Sequence, residues 1–135
     1  MDDKLLFKIN VYLDEVNTVK GDRAEATMIL FHGKMDSDFF KGEIINGGVD
    51  TQIEEKGKTR TLSARYILKG IDNENELCSI FIENNGTVEK NGEIRTVPRI
   101  ITDSKALKWL EDTPLKGRVE SVREGEVEIL FFTAK

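Results

Sequence analysis

The stretch Leu5-Leu6-Phe7-Lys8-Ile9-Asn10-Val11-Tyr12-Leu13-Asp14 decides the fold class, because apolar side chains return at every second position. Successive side chains of a β-strand point to opposite faces, whereas a helix repeats every 3.6 residues. The segment is therefore predicted to be a strand with one core face and one polar face. The predicted core face consists of Leu5, Phe7, Ile9, Val11 and Leu13, and the polar face carries Lys8, Asn10, Tyr12 and Asp14.

Further strands are predicted along the rest of the chain. One runs from about Glu25 to Met35, where Thr27-Met28-Ile29-Leu30-Phe31 reads as an apolar run that is buried on both faces; helix is the alternative, but β-branched residues favour a strand. Seven more runs follow, at Phe39–Ile45, Val49–Glu55, Thr59–Lys69, Leu77–Glu83, Glu93–Ile101, Gly117–Arg123 and Glu126–Thr133. Between two of them, Asn91-Gly92 is typical of a type I′ hairpin turn, in which both central residues have positive φ.

One short helix is predicted from about Ser104 to Glu111, with Thr102 or Asp103 as its N-cap and Pro114 beyond its end. About nine strands joined by hairpins leave no room for the crossover helices that a parallel sheet requires. The sequence therefore predicts one all-β domain over residues 1–135, a closed antiparallel β-barrel with one short helix, because closure removes exposed sheet edges. A β-sandwich is the alternative.

Composition and charge exclude several classes of protein. Hydrophobic residues make up 39% of the 135 residues and charged residues 33%, which is typical of a globular domain. No run approaches the ~18 apolar residues of a membrane helix, and Met1-Asp2-Asp3-Lys4 lacks signal-peptide features, so a cytoplasmic protein without a membrane partner is expected. The net charge of -5 argues against binding to nucleic acid. The locally basic segment from Lys56 to Lys69 is interpreted as a solvated strand face.

Metal and cofactor chemistry has little support in the sequence. Cys78 is the only cysteine and His32 the only histidine, so a disulfide within the chain and a histidine-rich zinc site are both excluded. Cys78 lies in an apolar run and is expected to be a buried structural thiol. No nucleophile elbow and no phosphate-binding glycine loop are present. We therefore expect no metal and no cofactor.

Four motifs follow one another in a specific order. They are Gly42-Glu43-Ile44-Ile45-Asn46-Gly47-Gly48-Val49-Asp50-Thr51-Gln52, Ala64-Arg65-Tyr66-Ile67-Leu68, Ile82-Glu83-Asn84-Asn85-Gly86, and Arg95-Thr96-Val97-Pro98 with Trp109-Leu110. In this order they resemble the family catalogued as domain of unknown function 3237, over roughly two thirds of the chain. The resemblance implies a small up-and-down β-barrel and brings no established activity. The sequence departs from the family pattern at two positions: the resemblance implies an aromatic residue where Thr51 stands and a basic residue where Asn85 stands. If those side chains line a pocket, the identity of a ligand does not carry over.

Asp50 and Gln52 are the first candidate ligand-binding residues. They lie two positions apart on one strand and therefore share a face. If Val49, Thr51 and Ile53 pack outward, Asp50 and Gln52 enter the barrel, whose mouth is a common place for a ligand. If those three residues face inward, Asp50 and Gln52 are merely solvated.

The remaining candidates are Arg65, Tyr66, Asn84, Arg95 and Trp109. Tyr66 and Arg65 lie on opposite faces of one strand. Tyr66 presents its phenol to a ligand or is a core tyrosine, and Arg65 binds a ligand carboxylate or pairs with Asp50 or a glutamate. Asn84 is either a ligand contact or, with Gly86, a turn residue. Trp109 is interpreted as a lid over one barrel end.

Three functions are consistent with these residues. The first is a barrel that binds a small polar organic ligand in its lumen. The second is a metal-independent acid/base enzyme of the isomerase or lyase type, with Asp50 as base and Tyr66 as acid. The third is an assembly protein that forms a homo-oligomer through the barrel wall.

Overall fold

A computed structural model describes residues 4–134 and contains nine strands and one short helix. The strands are β1 (Leu5–Lys20), β2 (Ala24–Asp36), β3 (Phe40–Ile44), β4 (Val49–Glu55), β5 (Arg60–Asp72), β6 (Leu77–Val88), β7 (Ile94–Thr102), β8 (Leu115–Arg123) and β9 (Glu126–Thr133), and the helix is α1 (Trp109–Asp112). The prediction of an all-β chain with about nine strands and one short helix is confirmed.

The nine strands pair in a closed ring. Beginning at β1, the order of neighbours is β9, β8, β7, β6 and β5. Next come β3 and β4, which both pair with β5 on one side and β2 on the other, and β2 pairs again with β1. Every pairing is antiparallel. Because β3 and β4 share one place, eight positions complete the ring.

The core lies inside this ring and begins with the inner face of β1. Phe7, Ile9 and Val11 are buried, with exposed fractions of 4%, 0% and 2%, and the Phe7 ring stacks on Phe131 of β9 at 4.3 Å. The expected burial of Leu5 and Leu13 is wrong, because they are 47% and 37% exposed. The pairing register shifts between Leu5 and Phe7, so a bulge interrupts the alternation at Leu5, whereas Leu13 stays on the inner face, opposite Phe31, where the ring is open to solvent.

The central part of β2 has one buried face, not two. Thr27 and Phe31 are buried, whereas Met28 and Leu30 are 46% and 37% exposed. The apolar run therefore places alternate side chains on the inner and outer faces of the ring. The outer ones leave an apolar strip on the surface.

The helix is shorter than predicted, because the segment before it is held in turns by i→i+3 hydrogen bonds, such as the one from the Lys108 N–H to the Lys105 carbonyl. The buried Ser104 hydroxyl donates to Asp72 Oδ2 at 2.7 Å and accepts from the Leu107 backbone N–H at 3.1 Å. Residues 105–108 form turns, and the helix begins only at Trp109. The Ser104 hydrogen bond, aided by backbone N–H groups of Glu76 and Glu74, holds the pKa of Asp72 below its ordinary value.

The hairpin turn at Asn91-Gly92 also differs from the prediction. Gly92 has φ +90°, but Asn91 does not have positive φ, so the turn is not type I′. The Gly92 N–H donates to the Glu89 carbonyl and the Glu89 N–H to the Glu93 carbonyl. This pattern is that of a three-residue loop whose last residue is a left-handed glycine.

Candidate functional site

A cavity of about 140 Å³ lies inside the ring, and we call it the interior cavity. Every strand except β3 contributes a lining side chain. The lining consists of Val11, Leu13, Ile29, Phe31, Asp50, Gln52, Leu62, Ala64, Asn84, Ile94, Thr96, Val119, Val127 and Ile129. Asp50 and Gln52 therefore point into the ring, and their neighbour Ile53 is 44% exposed on its outside.

Two cross-strand rows of residues that include small side chains pass the interior cavity. In the first row Asp50, Ala64 and Asn84 lie opposite one another on β4, β5 and β6. Two strand spacings separate the outer members by about 10 Å, and only the Ala64 methyl group lies between them. The second row reads Gln52, Leu62, Gly86, Thr96 and Gly117 and contains two glycines. Ala64 therefore leaves space between Asp50 and Asn84. The two glycines instead admit neighbouring groups, because a methyl group at Gly86 would overlap the Arg95 carbonyl oxygen and one at Gly117 the Thr96 hydroxyl.

Three polar atoms of this lining have no hydrogen-bond partner within the described residues. They are Asp50 Oδ1, Asn84 Oδ1 and Thr96 Oγ1. Asn84 and Thr96 are only 1% and 3% exposed. Buried polar atoms in folded proteins are nearly always paired, so an unpaired one calls for an explanation. Here all three belong to side chains that line one cavity.

Asp50, Gln52, Asn84 and Thr96 form what we call the polar wall of the interior cavity, and Arg60 fixes the orientation of Gln52 and Asp50 within it. Its Nε donates to Gln52 Oε1 at 2.7 Å, and Gln52 Nε2 donates to Asp50 Oδ2 at 2.8 Å. Because a guanidinium group can only donate, the Gln52 amide is oriented with its nitrogen toward Asp50. Burial raises the pKa of Asp50, and the Gln52 hydrogen bond, the Arg60 charge and the Ser63 backbone N–H oppose that rise. Asp50 is thus a positioned carboxyl group with one oxygen left over.

Tyr66 lies behind the interior cavity, not in its lining. Its hydroxyl accepts a hydrogen bond from Asn84 Nδ2 at 3.3 Å, and its ring meets Phe31 edge to face with centroids 5.4 Å apart. The residue is 3% exposed, and burial raises the pKa of its phenol. A phenol that holds its proton this firmly is a poor general acid. Of the two predicted roles, ligand contact and core packing, the position of Tyr66 agrees with core packing.

Arg65, Arg95 and Trp109 do not reach the interior cavity. Arg65 pairs with Glu83 across the strands at 2.9 Å, and Arg95 pairs with Glu93 at 2.7 Å, both on the outside of the ring. Trp109 is 40% exposed and packs its ring edge to face on Phe39 at 5.3 Å. It follows the end of β7 that is distant from Ile94 and Thr96, so it lies toward the opposite end of the ring.

Two further corrections concern Asn84, which lies in the polar wall, and Arg60, which bonds to it. Asn84 lies inside β6, which extends to Val88, so its interpretation as a turn residue is wrong. Arg60 belongs to the segment interpreted as a solvated strand face, yet its side chain is only 19% exposed. Thr96 occurs in the sequence motif but gave no separate signal as a site residue. A polar residue at an inward position of an alternating strand is the one signal that would have identified it.

The described residues show no group of three histidine, cysteine, aspartate or glutamate side chains that would hold a metal ion. Burial raises the pKa of the Cys78 thiol, which lies in the core at 7% exposure. No helix between residues 4 and 134 is long and apolar enough to cross a membrane.

Gly117 makes room for the Thr96 hydroxyl, and this predicts a coupling between the two. A methyl group at Gly117 would overlap Thr96 Oγ1, and its next neighbour is 3.5 Å away. We expect Gly117→Ala to lower the free energy of unfolding by about 1–3 kcal/mol through overpacking. Adding Thr96→Ala removes the overlap and should restore most of the loss. Urea unfolding of the wild type, both single variants and the double variant measures this coupling, and additivity within about 0.5 kcal/mol would contradict it.

The protein is thus an all-β protein with a closed ring of antiparallel strands around a small, partly polar cavity. The chain belongs to the DUF3237 family, described as a protein of unknown function, whose model matches residues 3–95. The resemblance seen in the sequence motifs is confirmed. The first three motifs lie inside the matched range, whereas Arg95-Thr96-Val97-Pro98 begins at its last residue and Trp109-Leu110 lies beyond it.

Relatives agree with this assignment. A UPF0311 protein of Clostridium acetobutylicum is 34% identical in an alignment 98 residues long. The match covers 60% of this chain and 60% of that relative. A crystal structure of a protein with unknown function from the same organism is 25% identical with a TM-score of 0.83, and each chain is covered completely.

Two more distant structures share the fold. A β-barrel-like protein from Acinetobacter baumannii is 19% identical with a TM-score of 0.72, covering 99% of this chain and 96% of that one. An enzyme from Penicillium herquei is 15% identical with a TM-score of 0.70, covering 98% of this chain and 96% of that one. At these identities the likeness concerns the fold alone.

Proposed function

We propose that the ring is an up-and-down β-barrel that binds a small polar organic molecule in the interior cavity. The observation that carries this proposal is the set of unpaired atoms on Asp50, Asn84 and Thr96 in one cavity. Each unpaired buried polar group costs roughly 1–3 kcal/mol. A ligand that supplies the missing hydrogen bonds recovers that cost when it binds.

The size of the cavity limits the ligand. An apolar cavity of about 150 Å³ in another protein accommodates benzene. The interior cavity, at about 140 Å³, therefore holds a molecule with about one six-membered ring. Leu13 is 37% exposed at its edge, which provides a path for a substituent or for entry.

Filling the cavity tests the proposal. Ala64→Leu places a larger side chain between Asp50 and Asn84, so we expect it to lower the amount of bound small molecule at least tenfold. Ala26→Leu is the matched control, because Ala26 shares the outward face of β2 with Met28 and Leu30.

Native mass spectrometry of gently purified protein, followed by extraction and identification of small molecules, measures the bound fraction. We expect the wild type and Ala26→Leu to carry the same compound and Ala64→Leu to have lost it. Equal occupancy of Ala64→Leu and wild type would place the ligand elsewhere. No small molecule in any of the three proteins would count against a tightly binding barrel.

One observation favours an acid/base enzyme as the second candidate. The pKa of Asp50 is raised by burial, which brings a carboxyl group closer to the strength that a general base needs near neutral pH. Tyr66 is not the acid in this version, since its hydroxyl is engaged with Asn84 behind the cavity. A molecule that is chemically altered after incubation with the purified protein would identify catalysis, whereas unaltered release identifies a binding protein.

A further inference from the structure

We propose that the ligand is a monocyclic organic cation whose ammonium group binds Asp50. This inference rests on the proposed function, because it names the ligand class for the same cavity. It is based on a single negative charge in an otherwise neutral cavity lining. It is also based on several hydrogen-bond acceptor atoms in that lining to which no group among the described residues donates.

Charge is the first argument. Asp50 is the only charged side chain among the described residues that line the interior cavity. Arg60 is the cation that contacts the polar wall from behind, through Gln52. It also pairs with Glu25 and Glu54 at 3.3 Å, so its charge is shared with other carboxylates. An anionic ligand would meet the Asp50 carboxylate without a lining cation to compensate. A cationic ligand instead neutralises a partly desolvated carboxylate.

The hydrogen-bonding pattern is the second argument. Gln52 occupies Asp50 Oδ2, and its amide orientation is fixed by Arg60, so Gln52 does not compete for Oδ1. An ionised carboxylate can only accept, and Thr96 Oγ1 can accept as well. The Asn84 oxygen is a third acceptor on the same wall. An ammonium group carries three N–H donors, which matches this surplus of acceptors.

The apolar wall is the third argument. Apart from Asp50, Gln52, Asn84 and Thr96, every lining side chain is apolar. Such a wall accommodates a hydrocarbon ring but offers nothing to a sugar or another molecule with hydroxyl groups on all sides. The ligand therefore has a polar end directed at Asp50 and an apolar body.

Three ring compounds of similar size test the inference: benzylamine, which is a cation at pH 7, benzyl alcohol, which is neutral, and benzoate, which is an anion. Each is titrated into the purified full-length protein and followed by backbone amide NMR shifts. We expect benzylamine to shift the signals of residues near Asp50, Asn84 and Thr96 and to bind at least tenfold more tightly than the other two compounds.

Asp50→Asn removes the charge at nearly constant shape. We expect it to weaken benzylamine binding at least tenfold and to change benzyl alcohol binding less than threefold. Asp36→Asn is the matched control, since Asp36 is exposed at the end of β2 and pairs with Lys41. It should leave benzylamine binding unchanged.

The failures of the two proposals are distinguishable. If benzyl alcohol or benzoate shifts the cavity signals as strongly as benzylamine does, or if Asp50→Asn leaves benzylamine binding unchanged, the cavity binds small molecules but the cation class is wrong. If none of the three compounds shifts cavity signals and the purified protein carries no small molecule, both proposals fail.

Discussion

Replacing Phe131 by alanine is expected to lower the free energy of unfolding by about 3–5 kcal/mol, the largest loss from one apolar side chain in this protein. Phe131 is fully buried on β9 and stacks on Phe7 of the neighbouring β1 with ring centroids 4.3 Å apart. Removal of its ring leaves a void where the first and last strands meet. Equilibrium unfolding in urea gives the free energy, and an unchanged slope with denaturant indicates that the loss belongs to the folded state.

Phe132 provides the control for this change, because it is the next residue and carries the same side chain. It is half-buried, and the Arg118 guanidinium lies 5.0 Å from its ring centroid. We expect Phe132→Ala to cost about 1 kcal/mol, mainly through this cation–π contact. Equal losses for the two variants would contradict a core that lies inside the ring.

Asn84→Asp is expected to lower the free energy of unfolding by about 3 kcal/mol at pH 7, even though the two side chains have nearly the same shape. Asn84 is 1% exposed, so the new carboxyl group would be desolvated, and it would share the interior cavity with the Asp50 carboxylate. Both effects raise the pKa of the new group in the folded state. Two units of such a rise correspond to about 2.7 kcal/mol.

The sign of the pH dependence follows from that rise. Near pH 3 the new carboxyl group is neutral in both states, so the variant should be nearly as stable as the wild type. As the pH rises above about 4, the unfolded chain ionises first, and the penalty grows until the pH passes the raised pKa of the folded protein. Urea unfolding at several pH values measures this change.

Asn85→Asp is the control, because Asn85 is exposed and its Oδ1 accepts from the Ser63 hydroxyl at 2.6 Å. We expect the cost of Asn85→Asp to vary by less than about 0.5 kcal/mol over the same pH range. A flat pH profile for Asn84→Asp would mean that water reaches this position freely, which would contradict a buried polar wall.

Local sequence patterns predicted the strands well, because the alternation of a strand can be recognised from residues that are adjacent in the sequence. Phe7, Ile9 and Val11 are buried as their period of two indicates. A bulge depends on how two distant strands pair, so the exposure of Leu5 was missed. The exposure of Leu13 was missed because its place at the open end of the ring depends on the whole sheet. The helix was predicted too long because local spacing does not distinguish turns bonded i→i+3, which residues 106–108 form, from an α-helix. The contact of Ser104 with Asp72, 32 residues away, is likewise absent from the local pattern.

The candidate site could be predicted only in part. The shared face of Asp50 and Gln52 follows from their spacing, and both side chains line the interior cavity. Asn84 looks like a turn residue in sequence because asparagine tolerates left-handed backbone, whereas in the structure it pairs with Tyr66. Arg60 looks like one of several solvated cations, and its contact with Gln52 depends on the register of β4 against β5. Such cross-strand partners become visible only in three dimensions.

Closure of the ring has a consequence for how the protein folds. Hairpins such as β5 and β6 can form early, because their strands are adjacent in the sequence. Pairing of β1 with β9 instead joins the two ends of the chain, since Val11 lies opposite Val127. Such a distant pairing carries a large loop-closure entropy and is expected to form late. The apolar wall of the interior cavity includes side chains of β1 and β9, while its polar wall lies on β4 to β7. If the proposed ligand touches both walls, it binds only the closed ring, and its concentration shifts the balance between closed and open chains by mass action.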